Sequence, residues 1–146
     1  MPAYQGRREA DVAAPPEACF AALTDYESMP EWQRALKRCT VIERGDGEDV
    51  VEYEVDAKVR TFKYRLRCIY DEPSKIDSEY LDGPFRDFAA RWQFDAAADG
   101  GTRATVEVRL DPGRLVPRPV ARMVEDAVLG RAVEDLKRRV EQGAAG

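Results

Sequence analysis

Residues 51–70 read VEYEVDAKVRTFKYRLRCIY. Val51, Tyr53, Val55 and Ala57 alternate with Glu52, Glu54, Asp56 and Lys58, and beyond Val59-Arg60 the alternation resumes with Phe62, Tyr64, Leu66, Cys68 and Tyr70 against Lys63, Arg65 and Arg67. A period of two sorts the side chains onto opposite faces of a strand, so each segment has an apolar face for a core and a charged face for water. The charged face of the first strand is acidic and that of the second basic, which favours pairing them as an antiparallel hairpin. Keeping both apolar faces on one side requires paired residue numbers with an odd total. A total of 119 sets Asp56 against Lys63, Glu54 against Arg65 and Glu52 against Arg67, and a total of 121 also opposes unlike charges. The looser turn of the second register is preferred, because a two-residue turn at Val59-Arg60 lacks the Gly or Asn that positive φ requires.

The same reading extends in both directions. Residues 75–82 and 86–95 form a hairpin around Asp82-Gly83-Pro84, with Ile76, Ser78 and Tyr80 inward against Phe88, Ala90, Trp92 and Phe94. A turn at Asp99-Gly100-Gly101 leads to a last strand with Ala104, Val106, Val108 and Leu110 inward, whose outer face can set Glu107 beside Arg91 and Arg103 beside Asp95. The strands should therefore follow one another as a meander. Upstream, residues 4–13 suit a first strand. Ala14-Pro15-Pro16-Glu17 then starts a helix carrying Cys19, Phe20 and Leu23 and stopping near Thr24-Asp25-Tyr26, and Ser28-Met29-Pro30-Glu31-Trp32 reads as a second short helix with proline near its start. Downstream, Pro119 opens a helix to about Gln142, with Gly143 as its stop and Val120, Val124, Val128, Ala132, Leu136 and Val140 in an i, i+4 row flanked by Leu129 and Val133. Arg122, Asp126, Glu134, Asp135 and Arg138 occupy its other face, where i, i+4 ion pairs can form.

A chain of 146 residues with 44% hydrophobic and 35% charged residues fits a single globular domain over 1–146. The net charge is −5 with both signs interleaved, so the broad positive field that nucleic acid requires is missing. No long apolar run or charged-then-apolar leader stands in the sequence, so a cytoplasmic protein without integral membrane association is expected. Cys19, Cys39 and Cys68 are odd in number, far apart and set in apolar patterns, which suits reduced core thiols. Histidine is absent, which excludes Ser-His and Cys-His triads within the chain, and no metal-ligand spacing is present.

The order of elements, together with Ala14-Pro15-Pro16-Glu17 and Phe20, Asp25-Tyr26-Glu27-Ser28-Met29-Pro30-Glu31-Trp32, and Gly83-Pro84-Phe85 leading to Trp92-Gln93-Phe94, resembles the START-like (SRPBCC) superfamily. Within it the details resemble the polyketide cyclase/dehydrase and coenzyme-Q-binding proteins. The resemblance covers nearly the whole chain. It implies an α+β helix-grip fold, also described as START/Bet-v-like, in which a curved antiparallel sheet wraps a long C-terminal helix and two short helices follow the first strand. It further implies a cavity for a small hydrophobic ligand such as a quinone, isoprenoid, lipid or polyketide-like aromatic. The lining would come from Tyr53, Val55, Phe62, Tyr64, Leu66, Tyr80, Phe88, Ala90, Trp92, Val106 and Val108 on strands and Val124, Val128 and Ala132 on the helix. An inward aromatic stripe is more often ordinary core than pocket.

Aromatase/cyclase relatives use an arginine and a serine on the fourth strand and a tyrosine after the second short helix. Here those positions hold Cys68, Leu66 and Leu36, which lack the fixed charge and donors that would polarise a carbonyl substrate. This leans the resemblance toward a carrier. A cyclase or dehydratase with an altered polar set is the alternative, and Glu125, within the apolar stripe of the last helix, is the weak catalytic candidate beside Tyr53, Tyr64, Tyr80 and Ser78. Cys68 has no evident thiolate activation, and Arg34 reads as a solvated charge near the cavity entrance, one wall of which residues 111–119 can form. A third class among relatives is a ribosome-associated interaction protein, against which the interleaved charges argue. No cofactor is implied, and the oligomeric state is open between monomer and homodimer.

Overall fold

A computed structural model describes residues 4–33, 36–56, 61–114, 116–126 and 131–145. In chain order these form β1 (Tyr4–Val12), α1 (Pro16–Thr24), a short 3-10 helix (Tyr26–Glu31), β2 (Leu36–Arg44), β3 (Glu48–Asp56), β4 (Thr61–Asp71), β5 (Lys75–Asp82), β6 (Asp87–Ala96), β7 (Thr102–Asp111), α2 (Arg118–Glu125) and α3 (Ala132–Ala145). The strands make one seven-stranded sheet in the order β1-β7-β6-β5-β4-β3-β2. All neighbours are antiparallel, so β2 to β7 are the expected meander and β1 returns to the far edge beside β7. This curved sheet gripping a C-terminal helix is the helix-grip fold.

The β3–β4 register differs from both sequence expectations. Val51 faces Leu66, Glu52 faces Arg65 and Glu54 faces Lys63, so paired numbers total 117. The reason lies in the pattern itself. Acid repeats every second residue on β3 and base every second residue on β4, so shifting the ladder by two residues still opposes unlike charges. Charge therefore could not choose among these registers. The apolar face distinguishes them, since the adopted register puts Tyr53 opposite Tyr64, whose rings stack with centroids 5.2 Å apart. Glu52 still meets Arg65 at 3.0 Å, and Arg67 reaches diagonally to Glu48 at 3.2 Å. The Val59-Arg60 turn, with Ala57 and Lys58, lies outside the described residues.

On the β6–β7 ladder Arg91 faces Glu107 and Asp95 faces Arg103, as the pattern predicts. The short ionic contacts nevertheless run elsewhere, from Arg91 to Asp77 on β5 at 2.6 Å and from Arg103 to Glu9 and Asp11 on β1 at 3.7 and 3.5 Å. A central strand has two neighbours, and a guanidinium follows the better-placed carboxylate. These contacts are exposed and order the outer face more than they stabilise it.

The first helix buries Cys19, Phe20 and Leu23, as predicted, and ends where Asp25 N–H bonds the Ala21 carbonyl at 3.1 Å. The second begins earlier than its sequence reading, at Tyr26, and carries Pro30 inside its last turn. A short i→i+3 helix has few N–H groups to satisfy, so a late proline removes little. At the C-terminus α2 begins at Arg118 behind Pro117, and α3 continues past the expected glycine stop to Ala145. Residues 127–130, where the sequence continues one helix, lie outside the described residues, and with them Val128, Leu129 and Gly130. Ala132, Val133, Leu136 and Val140 are buried, and α3 packs on β1, β7 and α1. The ion pairs seen on α3 are not the expected ones: Lys137 meets Glu141 at i, i+4, outside the expected set, and Asp135 meets Arg138 at i, i+3. Lys137 Nζ also donates to the Asp11 carbonyl at 2.7 Å, and Glu141 accepts from Ala13 N–H at 2.9 Å, which clips α3 to the end of β1.

Candidate functional site: the inner face of the grip

Alternation along β3 to β7 delivers one side chain in two to the face of the sheet turned toward the helices. On that face Tyr64 is the hub of an aromatic cluster. Besides Tyr53 it meets Phe85 at 5.3 Å and Phe88 at 5.8 Å between ring centroids. Phe85 comes from the β5–β6 loop and is buried. The Tyr80 hydroxyl both donates to the Phe85 carbonyl and accepts from the Phe85 N–H, each at 3.0 Å, which folds the loop inward. Gly83 has φ +147°, and a Cβ there would lie 2.6 Å from Tyr64 Cβ, so this close approach requires glycine.

A polar strip runs beside the rings. In one row across three strands, Asp49 on β3 faces Cys68 on β4, which faces Ser78 on β5. Cys68 Sγ lies 3.7 Å from the Tyr53 hydroxyl and 3.8 Å from Ser78 Oγ. Tyr26, from the short helix, places its hydroxyl 2.8 Å from that of Tyr70. Tyr70 in turn donates to Asp49 Oδ2 at 2.7 Å. Burial pushes the hydroxyls of Tyr26, Tyr53, Tyr64 and Tyr70 well above the ordinary tyrosine range. It also raises Cys39 to about 12 and Cys68 above the usual thiol value, in the latter against hydrogen bonds that favour the thiolate. These groups are therefore neutral at physiological pH. Among the described residues the buried polar side chains outside this set are Thr102 and Thr105, and none is charged.

Of the residues expected to line a cavity, Tyr53, Val55, Phe62, Tyr64, Leu66, Phe88, Trp92, Val106, Val108 and Ala132 are buried, while Tyr80 and Ala90 are half-buried. Val128 and Arg34, and the side chains of Val124 and Glu125, lie outside the described residues. Sequence reasoning missed Asp49, Tyr70, Tyr26 and Phe85 as site residues. Asp49 shares the parity of Val51 and Tyr53, so continuing the alternation two residues upstream was the available signal. Tyr26 and Phe85 come from outside the sheet, and only packing brings them in.

The outer face is different in kind. An open groove of about 710 Å³ there is bordered by Arg7, Ile69, Asp77, Arg91 and Glu107. Its charges pair with one another, Arg91 with Asp77 and Arg7 with Glu107, so it offers a ligand little uncompensated charge. Among the described residues no group of three His, Cys, Asp or Glu side chains is arranged to hold a metal ion, and no helix is long and apolar enough to cross a membrane.

Several solved structures share this architecture. The Zhui aromatase/cyclase of Streptomyces sp. R1128 superposes with a TM-score of 0.81 at 18% identity, over 98% of this chain and 96% of that one. A START superfamily protein of Mycobacterium smegmatis gives 0.78 at 20% identity, over 94% and 97%. A STAR-related lipid transfer protein of Xanthomonas axonopodis gives 0.76 at 14% identity, over 94% and 85%. No curated protein matches the sequence. Identities this low show a common fold and no more. The sequence profile described as "Polyketide cyclase / dehydrase and lipid transport" matches residues 12–137. That span takes in every strand from β2 to β7 and the whole aromatic and polar inner face, and the chain belongs to the polyketide cyclase/dehydrase and lipid transport family.

Proposed function

We propose that this protein binds a small hydrophobic ligand, of the quinone, isoprenoid, lipid or polyketide-like aromatic kind, against the inner face of the grip, and that it carries the ligand without transforming it. One observation supports the reading most: the inner face combines large aromatic rings with polar groups that stay neutral, namely the Tyr26, Tyr53 and Tyr64 hydroxyls, the Cys68 thiol and Ser78. Such a surface suits an apolar molecule with a few uncharged oxygens. A carbonyl-activating enzyme needs a fixed charge or a base of matched pKa where the reaction occurs. Cys68, Leu66 and Leu36 supply neither at the positions where aromatase/cyclase relatives carry arginine, serine and tyrosine. Among the described residues the acid at the edge of this face, Asp49, is half-buried and engaged by Tyr70.

Native mass spectrometry of the protein purified from its own host, followed by extraction, tests this. The expected result is a bound species of low polarity released intact on denaturation. A protein that arrives empty and takes up no aromatic or lipid probe would overturn the proposal.

A further inference from the structure

Charge is sorted along the strands of this sheet as well as between its faces. The β2–β3, β4–β5 and β6–β7 turns lie together at one end of the meander, where Asp46, Asp71, Glu72 and Asp99 are exposed, with Arg44 and Lys75 beside them. At the opposite end β6 begins and β7 finishes, Asp87 facing Asp111. There the chain passes through Arg114 into α2, and Arg114, Arg118 and Arg122 follow at intervals of four residues, all exposed. Arg118 and Arg122 stand one helical turn apart, about 6 Å along the axis. Ala121 is buried and Val120 and Met123 are half-buried, so α2 turns its apolar side to the protein and these guanidiniums to solvent.

The row differs from the arginines of the outer face. Arg65, Arg91 and Arg103 each pair with a carboxylate, whereas among the described residues Arg114, Arg118 and Arg122 form no ion pair. Arg86 stands beside them. A Cβ on Gly113 would lie 3.2 Å from Arg86 Cβ, and the Arg86 guanidinium, 75% exposed, reaches Asp111 only at 3.8 Å. Asp111 is also occupied by the Gly113 N–H, which donates to its Oδ1 at 3.1 Å. Asp82 at the end of β5 and Asp126 behind α2 are exposed and pair with none of the four.

We propose that the Arg114-Arg118-Arg122 row, with Arg86, is a docking surface for an anionic lipid membrane, which the protein meets end-on and reversibly. A planar surface touches one end of a molecule at a time. The ten residues of β6 hold the acidic turns about 30 Å from the arginine end. That exceeds several Debye lengths of about 8 Å, so neither those turns nor the net charge of −5 opposes the contact. The apolar side of α2 is committed to the core, which makes the contact electrostatic and sensitive to salt. Single-stranded nucleic acid suits the surface less well, because its bases stack on exposed rings and the exposed large apolar side chains among the described residues are Ile42, Ile69 and Leu81. The proposal goes beyond the ligand-binding reading and does not depend on it.

Co-sedimentation of the full chain with vesicles of phosphatidylcholine alone, and of an equal mixture of phosphatidylcholine and phosphatidylglycerol, tests this. The wild type should bind the mixed vesicles, release them as salt rises and ignore the neutral ones. Each arginine near an anionic leaflet strengthens binding about fivefold, so Arg118→Gln/Arg122→Gln should weaken it by about tenfold to thirtyfold. Arg44→Gln/Lys75→Gln, which changes the net charge equally at the other end, should bind as the wild type does. Arg118→Lys/Arg122→Lys keeps the charge and should bind as well. Circular dichroism confirms that each variant is folded. A wild type that binds neither vesicle, or both equally, would overturn the proposal. So would equal losses in the two glutamine variants, a lysine variant as weak as its glutamine counterpart, or retention of polyuridylate in preference to the mixed vesicles.

Discussion

Tyr53 and Tyr64 stack directly across the β3–β4 ladder, with ring centroids 5.2 Å apart and planes inclined by 13°. The pair joins the register of the central hairpin to the aromatic surface of the inner face. Tyr64→Ala removes the hub that touches Tyr53, Phe85 and Phe88, and we expect it to cost about 3–5 kcal/mol, as truncation of a buried aromatic does. Tyr64→Phe keeps the ring and should cost less than about 1.5 kcal/mol. Urea denaturation measures both, and similar losses would show that the ring contacts are not what matters.

Gly83 stands over the same ring. Gly83→Ala adds a Cβ at φ +147°, 2.6 Å from Tyr64 Cβ, where the neighbour is the root of a side chain and cannot swing away. The expected result is a loss of more than about 1 kcal/mol with a disturbed β5–β6 loop. Gly100→Ala, also at positive φ (+86°) but with nothing within 4 Å of its added Cβ, should bear only the backbone strain and lose less. Thermal melts of the two variants side by side test the ranking.

Alkaline pH should unfold the protein. The thiols of Cys19, Cys39 and Cys68 and the hydroxyls of Tyr26, Tyr53, Tyr64 and Tyr70 all have folded-state values raised by burial. In the unfolded chain they titrate near about 8.5 and 10. Above those values the unfolded chain holds fewer protons than the folded one, so stability falls as pH rises. Their contribution is complete below about pH 8.5 and declines first through the cysteines and then through the tyrosines. Denaturation midpoints between pH 7 and 11 check this. In the native protein at pH 8, thiol reagents should react with none of the three buried cysteines until unfolding exposes them.

The outer-face ion pairs should matter little. Arg65 and Glu52 meet at 3.0 Å, with side chains 45% and 23% exposed. Arg65→Gln is expected to cost no more than about 1 kcal/mol and to cost less in high salt. Leu136→Ala, at a position with 0% exposure on α3, should cost about 2–5 kcal/mol. Denaturant titrations at low and high ionic strength separate the two cases.

Much of the fold was legible because alternation is a local property. Each strand's inward residues could be read without knowing its partners, and the β6–β7 ladder came out in its observed register because Arg91, Asp95, Arg103 and Glu107 form a pattern with both signs on each strand. Between β3 and β4 the signs were segregated, one per strand, so the pattern repeated under a two-residue shift and the register was ambiguous. Complementary charge marked the partner strand, and ring packing selected the alignment.

The site was legible only where it lay on that alternation. Tyr53, Tyr64, Cys68 and Ser78 were readable as inward residues, since strand parity is set by the order of residues alone. Their company was not. Tyr26 arrives from a helix more than forty residues before Tyr70 in sequence, Phe85 from a loop folded inward by the Tyr80 hydroxyl, and Asp49 from the rim of β3. The amino-acid order by itself determined which side chains face inward, because alternation and helix periodicity act over a few neighbouring residues. Tertiary structure alone decided which of them meet and which way their hydrogen bonds run, because a hydroxyl's role as donor or acceptor depends on partners brought from distant parts of the chain.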